Sequence, residues 1–300
     1  MKIIESISEM REYSQQIKRE GKTIAVLSTE SYFHDGHMSL VKISKENADI
    51  VVMCAFHTLW YFQLLNRPER YIEYITTYQT DILENDLTIC ADNGVDVFFQ
   101  PSMLDFYSNL TNKITLSSPI VDRFIKKRAW MPHLTNGYGD IISLYMLMNL
   151  KIFNIVSPDV NVIGEKDIYE ITSYIKSLID DLNYSIKLIV APIIRDVDGL
   201  ACSSRNRLLS PSQRQDATSI YQTLHEISKW STYPSVIDIK EHITNRINQA
   251  NGEIFYIDIY CPETLEKLKL IDRKAVVLVA TYFGSVYLND QIIINPRGTK

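Results

Sequence analysis

Along the first two thirds of the chain, short continuous apolar runs alternate with longer stretches of helical spacing. The continuous runs have the length and the β-branched content of buried strands. They cover residues 23–28, 49–56, 95–99, 161–164 and 186–191. Between most of them, a helical period predicts helices at residues 38–47, 71–92, 142–155 and 167–182. The alternation predicts an α/β fold whose parallel strands are buried on both faces.

This pattern predicts a parallel-sheet domain covered by helices over residues 1–190. Residues 1–20 alternate charged and apolar positions and predict an amphipathic helix. Residues 102–139 show little periodicity and predict an irregular segment, with a short strand at residues 113–116. In a parallel sheet, ligands bind where the carboxyl ends of the strands lead into the helices, so chemistry is expected in those turns.

The pattern changes after residue 191, and residues 191–300 predict a smaller α+β domain. A polar loop leads into two stretches of helical spacing, at residues 213–229 and 236–249. Short strands are then predicted at residues 254–260, 275–283 and 285–288.

Composition narrows the class of protein without naming an activity. Of the 300 residues, 46% are hydrophobic and 22% charged, as in a globular protein. The net charge of −5 argues against a nucleic-acid partner, which would call for a basic surface. The sequence shows no secretory signal, and no apolar run is long enough to span a membrane. We therefore expect a cytoplasmic protein without a membrane partner. Four scattered cysteines predict buried free thiols: Cys54, Cys90, Cys202 and Cys261.

The stretch HDGH, from His34 to His37, follows the first predicted strand of this domain and precedes a helix. Three interpretations are open. Two histidines three residues apart could bind a metal, but no third ligand is visible nearby. They could instead bind an anion at the helix N-terminus, where Gly36 lets the backbone approach closely. They could also be solvated residues of a surface turn.

The stretch GEKD, from Gly164 to Asp167, occupies the equivalent place after a later strand. Lys166 is well placed for phosphate oxygens, and Asp167 for a ribose hydroxyl. The alternative is a charged helix start with Asp167 as its N-cap.

The loop at residues 198–210, DGLACSSRNRLLS, concentrates polar side chains after the last strand of the first domain. Ser203 and Ser204 offer hydroxyls, and Arg205 offers a guanidinium group that suits a polyphosphate. The loop could equally be a polar hinge between two domains, and the two interpretations are compatible.

Taken together, HDGH, GEKD and the 198–210 loop resemble, in order and spacing, the motifs of the pantothenate synthetase (pantoate–β-alanine ligase) family. The segments SPDVNVIGEKD, GVDVFFQPS and YIDIYCPETLEKL are similar to that family as well, so the resemblance covers nearly the whole chain. It implies a nucleotidyltransferase-type, ATP-binding Rossmann domain with a C-terminal lid domain, usually in a homodimer. It also implies ATP and Mg²⁺ as cofactors and small-molecule acid and amine substrates.

In such a ligase a carboxylate attacks the α-phosphate of ATP, and an amine then displaces AMP to form an amide. No covalent enzyme intermediate and no metal bound by protein ligands is expected. The resemblance implies catalytic roles at the phosphates for His34, His37, Lys166 and Arg205. It implies ATP contacts from Gly36, Gly164, Asp167, Ser203 and Ser204.

The sequence departs from the family where the acid should bind. Thr58 and Tyr61 stand at an asparagine and a glutamine of the family, and Glu170 stands at a second glutamine. A carboxylate there would repel the carboxylate of pantoate unless it is protonated or paired. Pantoate is the default acid by resemblance, and a different acid or amine is the alternative. Drift at tolerant positions would leave the default unchanged, and a third hypothesis is a nucleotide-binding homologue without ligase activity.

Overall fold

The structure is a computed structural model that describes residues 1–29, 32–55, 80–106, 114, 116–117, 138–167 and 174–296. By its internal contacts the chain divides into two compact units, Met1–Ala191 and Pro192–Lys300. Among the described residues, no helix combines the length and the apolar character that a membrane span would require.

The first unit alternates strands and helices. The strands are β1 (Lys2–Ile4), β2 (Ile24–Thr29), β3 (Ile50–Ala55), β4 (Val97–Phe99), β5 (Val160–Gly164) and β6 (Lys187–Ala191). The helices are α1 (Ile7–Arg19), α2 (Asp35–Asn47), α3 (Thr80–Asp92), α4 (Met103–Phe106), α5 (Tyr138–Val156) and α6 (Lys176–Asp181). A 3₁₀ turn, Glu165–Asp167, follows β5 directly.

Within the described residues these strands form one parallel sheet in the order β1-β4-β3-β2-β5-β6. Both faces are apolar, which explains the continuous hydrophobic runs. Ile24 and Val26 of β2 face a core shared with α1 and α5, while Ala25 and Leu27 face a second core shared with α2. This confirms the predicted fold class.

Several predicted boundaries need correction. Residues 1–20 do not form one helix, because Lys2–Ile4 pair with Val97–Phe99 as an edge strand and the helix begins only at Ile7. Ser6 ends the extended segment and caps α1 by accepting a hydrogen bond from the Glu9 amide at 3.1 Å. Helix α2 begins at Asp35 instead of Met38, so Gly36 and His37 lie in its first turn.

Parts of three further predictions lie outside the described residues. Helix α3 confirms the predicted helix at residues 80–92, whereas residues 71–79 fall outside. Helix α6 begins at Lys176, and residues 168–173 of the predicted helix fall outside. Of the predicted strand at 113–116, Lys113 and Thr115 fall outside, while Ile114 and Leu116 are described and lie in no strand.

The second unit packs two helices, α7 (Pro211–Ser228) and α8 (Val236–Gln249), on an antiparallel sheet. Its strands are β7 (Glu253–Tyr260), β8 (Ala275–Phe283) and β9 (Val286–Ile294), in that order. Both helices begin with a capping box, from Ser210 and from Ser235. Strand β9 is longer than predicted because its polar centre, Asn289 to Gln291, continues the pairing with β8.

None of the four cysteines forms a disulfide bond, but only part of the prediction of buried thiols is right. Cys54, Cys90 and Cys261 are buried. Cys202 is half-buried, and its Sγ lies 3.3 Å from Oδ1 of Asp196. The prediction was wrong there because Cys202 belongs to a polar loop and not to a core strand.

Candidate functional site

The candidate site lies at the switch point of the parallel sheet. Strands β2 and β5 are neighbours, through the pairs Ala25 with Val160 and Val26 with Asn161. From β2 the chain proceeds to β3 and β4 on one side, and from β5 it proceeds to β6 on the other. In open α/β sheets the crevice for a ligand forms at such a point, beyond the carboxyl ends of the strands. The stretches HDGH and GEKD follow these two strands.

His34 and His37 are brought together by the start of α2. His34 is the N-cap residue in an extended conformation, and its carbonyl accepts the amide of His37 at 2.8 Å. The two imidazole rings are stacked, with centroids 3.9 Å apart and planes inclined by 28°. The amides and the partial positive charge of a helix N-terminus therefore coincide with two adjacent imidazoles, an arrangement suited to an anion.

His37 is held in a neutral form. Burial is the main cause that lowers its pKa well below the ordinary value, and the positive charges of His34 and Lys166 lower it further. Its Nε2 lies 2.8 Å from the hydroxyl of Thr29, the last residue of β2. Its Nδ1 is enclosed and has no hydrogen-bond partner within the described part of the chain. A bound anion could accept a hydrogen bond from this nitrogen and would raise the pKa of the ring.

Asp86, which belongs to none of the three sequence motifs, holds the turn before HDGH. Its carboxylate accepts the amides of Tyr32 and Phe33 at 2.8 and 2.9 Å. Burial raises the pKa of this carboxyl, while the two amide hydrogen bonds lower it. One signal was present in the sequence, because Asp86 shares the apolar face of α3 with Leu83, Leu87 and Cys90 at helical spacing.

GEKD follows β5 as predicted. Gly164 is the last residue of β5 and pairs with Ala191 of β6. Glu165, Lys166 and Asp167 form the 3₁₀ turn, in which Lys166 is partly buried and close enough for its charge to act on His37. Whether Asp167 caps a following helix depends on residues 168–173, which fall outside the described residues.

Ser203, Ser204 and Arg205 belong to the second unit. Ser203 caps a 3₁₀ turn, Ser204–Leu208, and its hydroxyl accepts the Arg205 amide at 3.4 Å. The Arg205 side chain is exposed and lies over the ring of Tyr287, 5.1 Å from the ring centroid. It also donates to the Tyr287 carbonyl at 3.4 Å. These contacts are weak enough to be exchanged for a phosphate.

The segment before these residues is rigidly supported. Arg195 forms a two-pronged ion pair with buried Asp290 of β9, at 2.6 and 3.1 Å, and lies over the Tyr221 ring. The Tyr221 ring also fills the space where a side chain at Gly199 would project, and Gly199 has a left-handed φ of 89°. Arg214 of α7 pairs with Asp196 and with the nearby Asp198. The loop therefore starts from a fixed base.

Thr58, Tyr61 and Glu170, predicted for the acid pocket, lie outside the described residues. Among the described residues, no group of three or more His, Cys, Asp or Glu side chains could hold a metal ion. The donor set at the switch point instead consists of imidazoles, a lysine and helix amides, which suits phosphate oxygens.

A parallel sheet that carries histidine and lysine side chains on the two turns at its switch point is the architecture of an α/β nucleotide-binding enzyme. The sequence model of the pantoate-beta-alanine ligase family matches residues 2–293. The chain therefore belongs to the pantoate–β-alanine ligase family, which confirms the resemblance drawn from the three motifs.

Relatives named pantothenate synthetase are similar in sequence to this chain over nearly its full length. The chain is 32% identical to the pantothenate synthetase of Thermotoga neapolitana over 301 residues, covering 98% of this chain and 100% of that protein. It is 33% identical to the pantothenate synthetase of Acetivibrio thermocellus over 299 residues, covering 98% and 99%.

Two solved structures show the same fold. The pantoate-beta-alanine ligase of Francisella tularensis, complexed with beta-gamma ATP and beta-alanine, matches with a TM-score of 0.73 at 27% identity, covering 98% of this chain and 97% of that one. The pantothenate synthetase of Thermus thermophilus matches with a TM-score of 0.80, covering 99% and 100%. Its identity of 24% limits that comparison to the fold.

Proposed function

We propose that this protein is an ATP-dependent, AMP-forming ligase that joins pantoate to β-alanine through an acyl-adenylate. The observation that carries the proposal is the stacked pair of His34 and His37 at the switch point, with Lys166 close by, in a chain of this family. Two imidazoles and an ammonium group lie near one another there, and a polyphosphate is proposed to bind beside them.

In the first step a carboxylate oxygen of pantoate attacks the α-phosphorus of ATP. The bond between that phosphorus and the bridging oxygen to the β-phosphate breaks, and pyrophosphate leaves with the bonding electrons. Negative charge therefore grows on the oxygens of the leaving group and of the α-phosphate. Fixed donors aimed at those oxygens stabilise the transition state more than the ground state.

The residues at the switch point are proposed to supply these donors. Neutral His37 donates one hydrogen bond from Nδ1, the enclosed nitrogen, while its Nε2 is held by Thr29. His34 acts beside it, and Lys166 contributes a full positive charge. Gly36, in the first turn of α2, allows phosphate oxygens to approach the backbone, and Gly164 with Asp167 contacts the ribose.

In the second unit, Ser203, Ser204 and Arg205 are proposed to hold the polyphosphate. The exposed guanidinium of Arg205 and the Ser203 cap of the 3₁₀ turn support this assignment. In the second step the amine of β-alanine attacks the acyl carbon, the bond to AMP breaks, and the nitrogen loses a proton. No side chain needs to form a bond to the substrate, because positioning and charge stabilisation suffice.

Mg²⁺ is proposed to come with the nucleotide. The described residues form no carboxylate cage, and Mg²⁺ commonly binds substrate phosphates and water with few protein ligands. When bound, it would neutralise charge on the leaving pyrophosphate. A homodimer is likewise proposed from the family resemblance, and sedimentation equilibrium of the purified chain would test it.

A different acid is the second candidate, and Tyr61 and Glu170 favour it because they replace polar, neutral positions of the family. Acid-dependent ATP–pyrophosphate exchange over a panel of acids separates the candidates. Exchange with pantoate supports the proposed function, and exchange with another acid alone supports the second candidate. Failure with every acid, while ATP still binds, would support a homologue without ligase activity.

A further inference from the structure

Asp86 lies on α3 and is 1% exposed. One carboxylate oxygen accepts the amide of Tyr32 at 2.8 Å, and the other accepts the amide of Phe33 at 2.9 Å. Both acceptors are therefore engaged by backbone, and both amides belong to the turn that delivers the chain to His34.

A buried carboxylate is a poor choice for stability alone. Taking a charged group out of water is costly unless it gains strong partners, and an apolar residue would fill the same face of α3 at lower cost. Among the described residues, Asp86 forms no ion pair with a Lys, Arg or His side chain. Its partners are two amides of a single turn, so its interactions specify geometry.

The turn that Asp86 holds needs such support. Tyr32 has a φ of 65°, a left-handed conformation that is unfavourable for a residue with a side chain and persists only when surroundings impose it. Phe33, which follows, meets the His37 ring edge-on with centroids 5.5 Å apart, and meets Phe98 of β4 at 6.3 Å. The path of these two residues fixes both where α2 begins and which side of the His37 ring is covered.

We propose that Asp86 is a positioning residue for His34 and His37: it holds the Tyr32–Phe33 turn so that the two imidazoles stack at the start of α2. The inference rests on the proposed function for its kinetic consequence. Without the carboxylate, the turn relaxes, and the histidines lose their alignment on the phosphates of the substrate.

The test uses Asp86→Asn in the full chain, with Asp96→Asn as the matched control. The asparagine keeps the shape but presents an NH₂ group to one of the two amides, so one hydrogen bond is lost. Asp96 also accepts a backbone amide, that of Val51 at 2.8 Å, but it does so at the amino end of β3, away from the switch point. Asp96→Asn removes the same charge, but its amide oxygen can still accept the single amide of Val51, so we expect only Asp86→Asn to disturb the histidines.

For pantoate-dependent exchange we expect kcat of Asp86→Asn to fall by about 10- to 100-fold, the scale of a small misplacement of reacting groups. The Kd of a non-hydrolysable ATP analogue should change much less, because aligned donors act mainly in the transition state. Asp96→Asn should keep kcat near that of the wild type. Equal losses of kcat in the two variants, at equal Tm, would overturn the proposal.

A second measurement does not depend on activity. Among the ring signals of the six histidines, those of His34 and His37, assigned with His34→Gln and His37→Gln, should shift in Asp86→Asn and stay in place in Asp96→Asn. Unmoved signals in a folded Asp86→Asn would overturn the positioning role even if no acid supports exchange. If the wild-type protein shows no exchange with any acid, only the proposed function is contradicted, and the positioning role of Asp86 is still tested by the ring signals.

Discussion

The hydroxyl of Thr29 lies 2.8 Å from Nε2 of His37, so the last residue of a strand fixes a ring in the first turn of the next helix. A neutral imidazole carries one N–H. When the hydroxyl donates to Nε2, the proton is on Nδ1, where a phosphate oxygen can accept it. The hydroxyl could also accept from Nε2, and we propose the donating direction because it leaves neutral His37 a donor at Nδ1.

Replacing Thr29 tests this role. Thr29→Val keeps the shape but removes the hydroxyl, and we expect the adenylation rate to fall by about tenfold, the value of one modest hydrogen bond. Thr29→Ser retains the hydroxyl and should stay close to the wild type. Equal rates in the valine and serine variants, measured by ATP–pyrophosphate exchange, would contradict the tautomer argument.

The depressed pKa of His37 predicts a pH dependence of stability. In the native protein burial is the main cause that lowers the pKa of this ring and keeps it neutral. In the unfolded chain the ring has its ordinary pKa of about 6.5. Below that pH the unfolded state binds more protons, so stability is lost as the pH falls through this range. Urea unfolding between about pH 7.5 and 5.5 should show a smaller loss in His37→Gln than in the wild type. Identical slopes for both proteins would contradict the buried neutral ring.

The second unit offers a matched pair of arginines within one 3₁₀ turn. Arg205 and Arg207 are both exposed, but only Arg205 is assigned to the polyphosphate. Arg205→Gln should lower kcat/KM for ATP by about tenfold or more, because a charge-assisted hydrogen bond is lost. Arg207→Gln should leave kcat/KM for ATP unchanged. Hydrogen exchange at residues 203–208 should slow on addition of ATP and Mg²⁺ in wild type and in Arg207→Gln. Unchanged exchange in wild type at saturating ATP would remove this assignment.

The acid pocket gives a prediction from sequence alone. Unit charges about 4 Å apart interact by about 4 kcal/mol at an effective dielectric near 20, so Glu170 beside a substrate carboxylate would matter even when screened. The double change Tyr61→Gln with Glu170→Gln should improve pantoate-dependent exchange. If wild type instead turns over pantoate at about 1–10 s⁻¹, an ordinary enzymatic rate, and the double variant is slower, these residues are compatible with pantoate.

The sequence predicted those parts of the fold that depend on local pattern. The runs of β2 and β3 are apolar on both faces and long enough to be recognised, and α7 and α8 carry clear serine caps. Strand β1 has three residues and is defined by pairing with β4, which lies nearly one hundred positions away, so its pattern could not reveal it. Strand β9 was predicted too short because an aspartate such as Asp290 is typical of a turn. In the structure Asp290 is kept in the strand by its ion pair with Arg195.

For the site, the sequence motifs predicted His34, His37 and Lys166 as functional residues, but they did not predict how these residues are arranged in space. That β2 and β5 are neighbours, and hence that HDGH and GEKD share one edge, follows only from strand order. The place of Asp86 on the apolar face of α3 indicates that it is buried, but its partners are backbone amides, which residue types do not reveal.

We propose that the turns after β2 and β5 together bind the phosphates of ATP for acyl-adenylation. The most direct measurement is ATP–pyrophosphate exchange by His37→Ala and Lys166→Ala, each purified and shown to be folded, with the acid that the wild type prefers. We expect each rate to fall by about 10²–10³, the scale of losing one donor that stabilises developing charge. Near-normal exchange in either folded variant would contradict the claim.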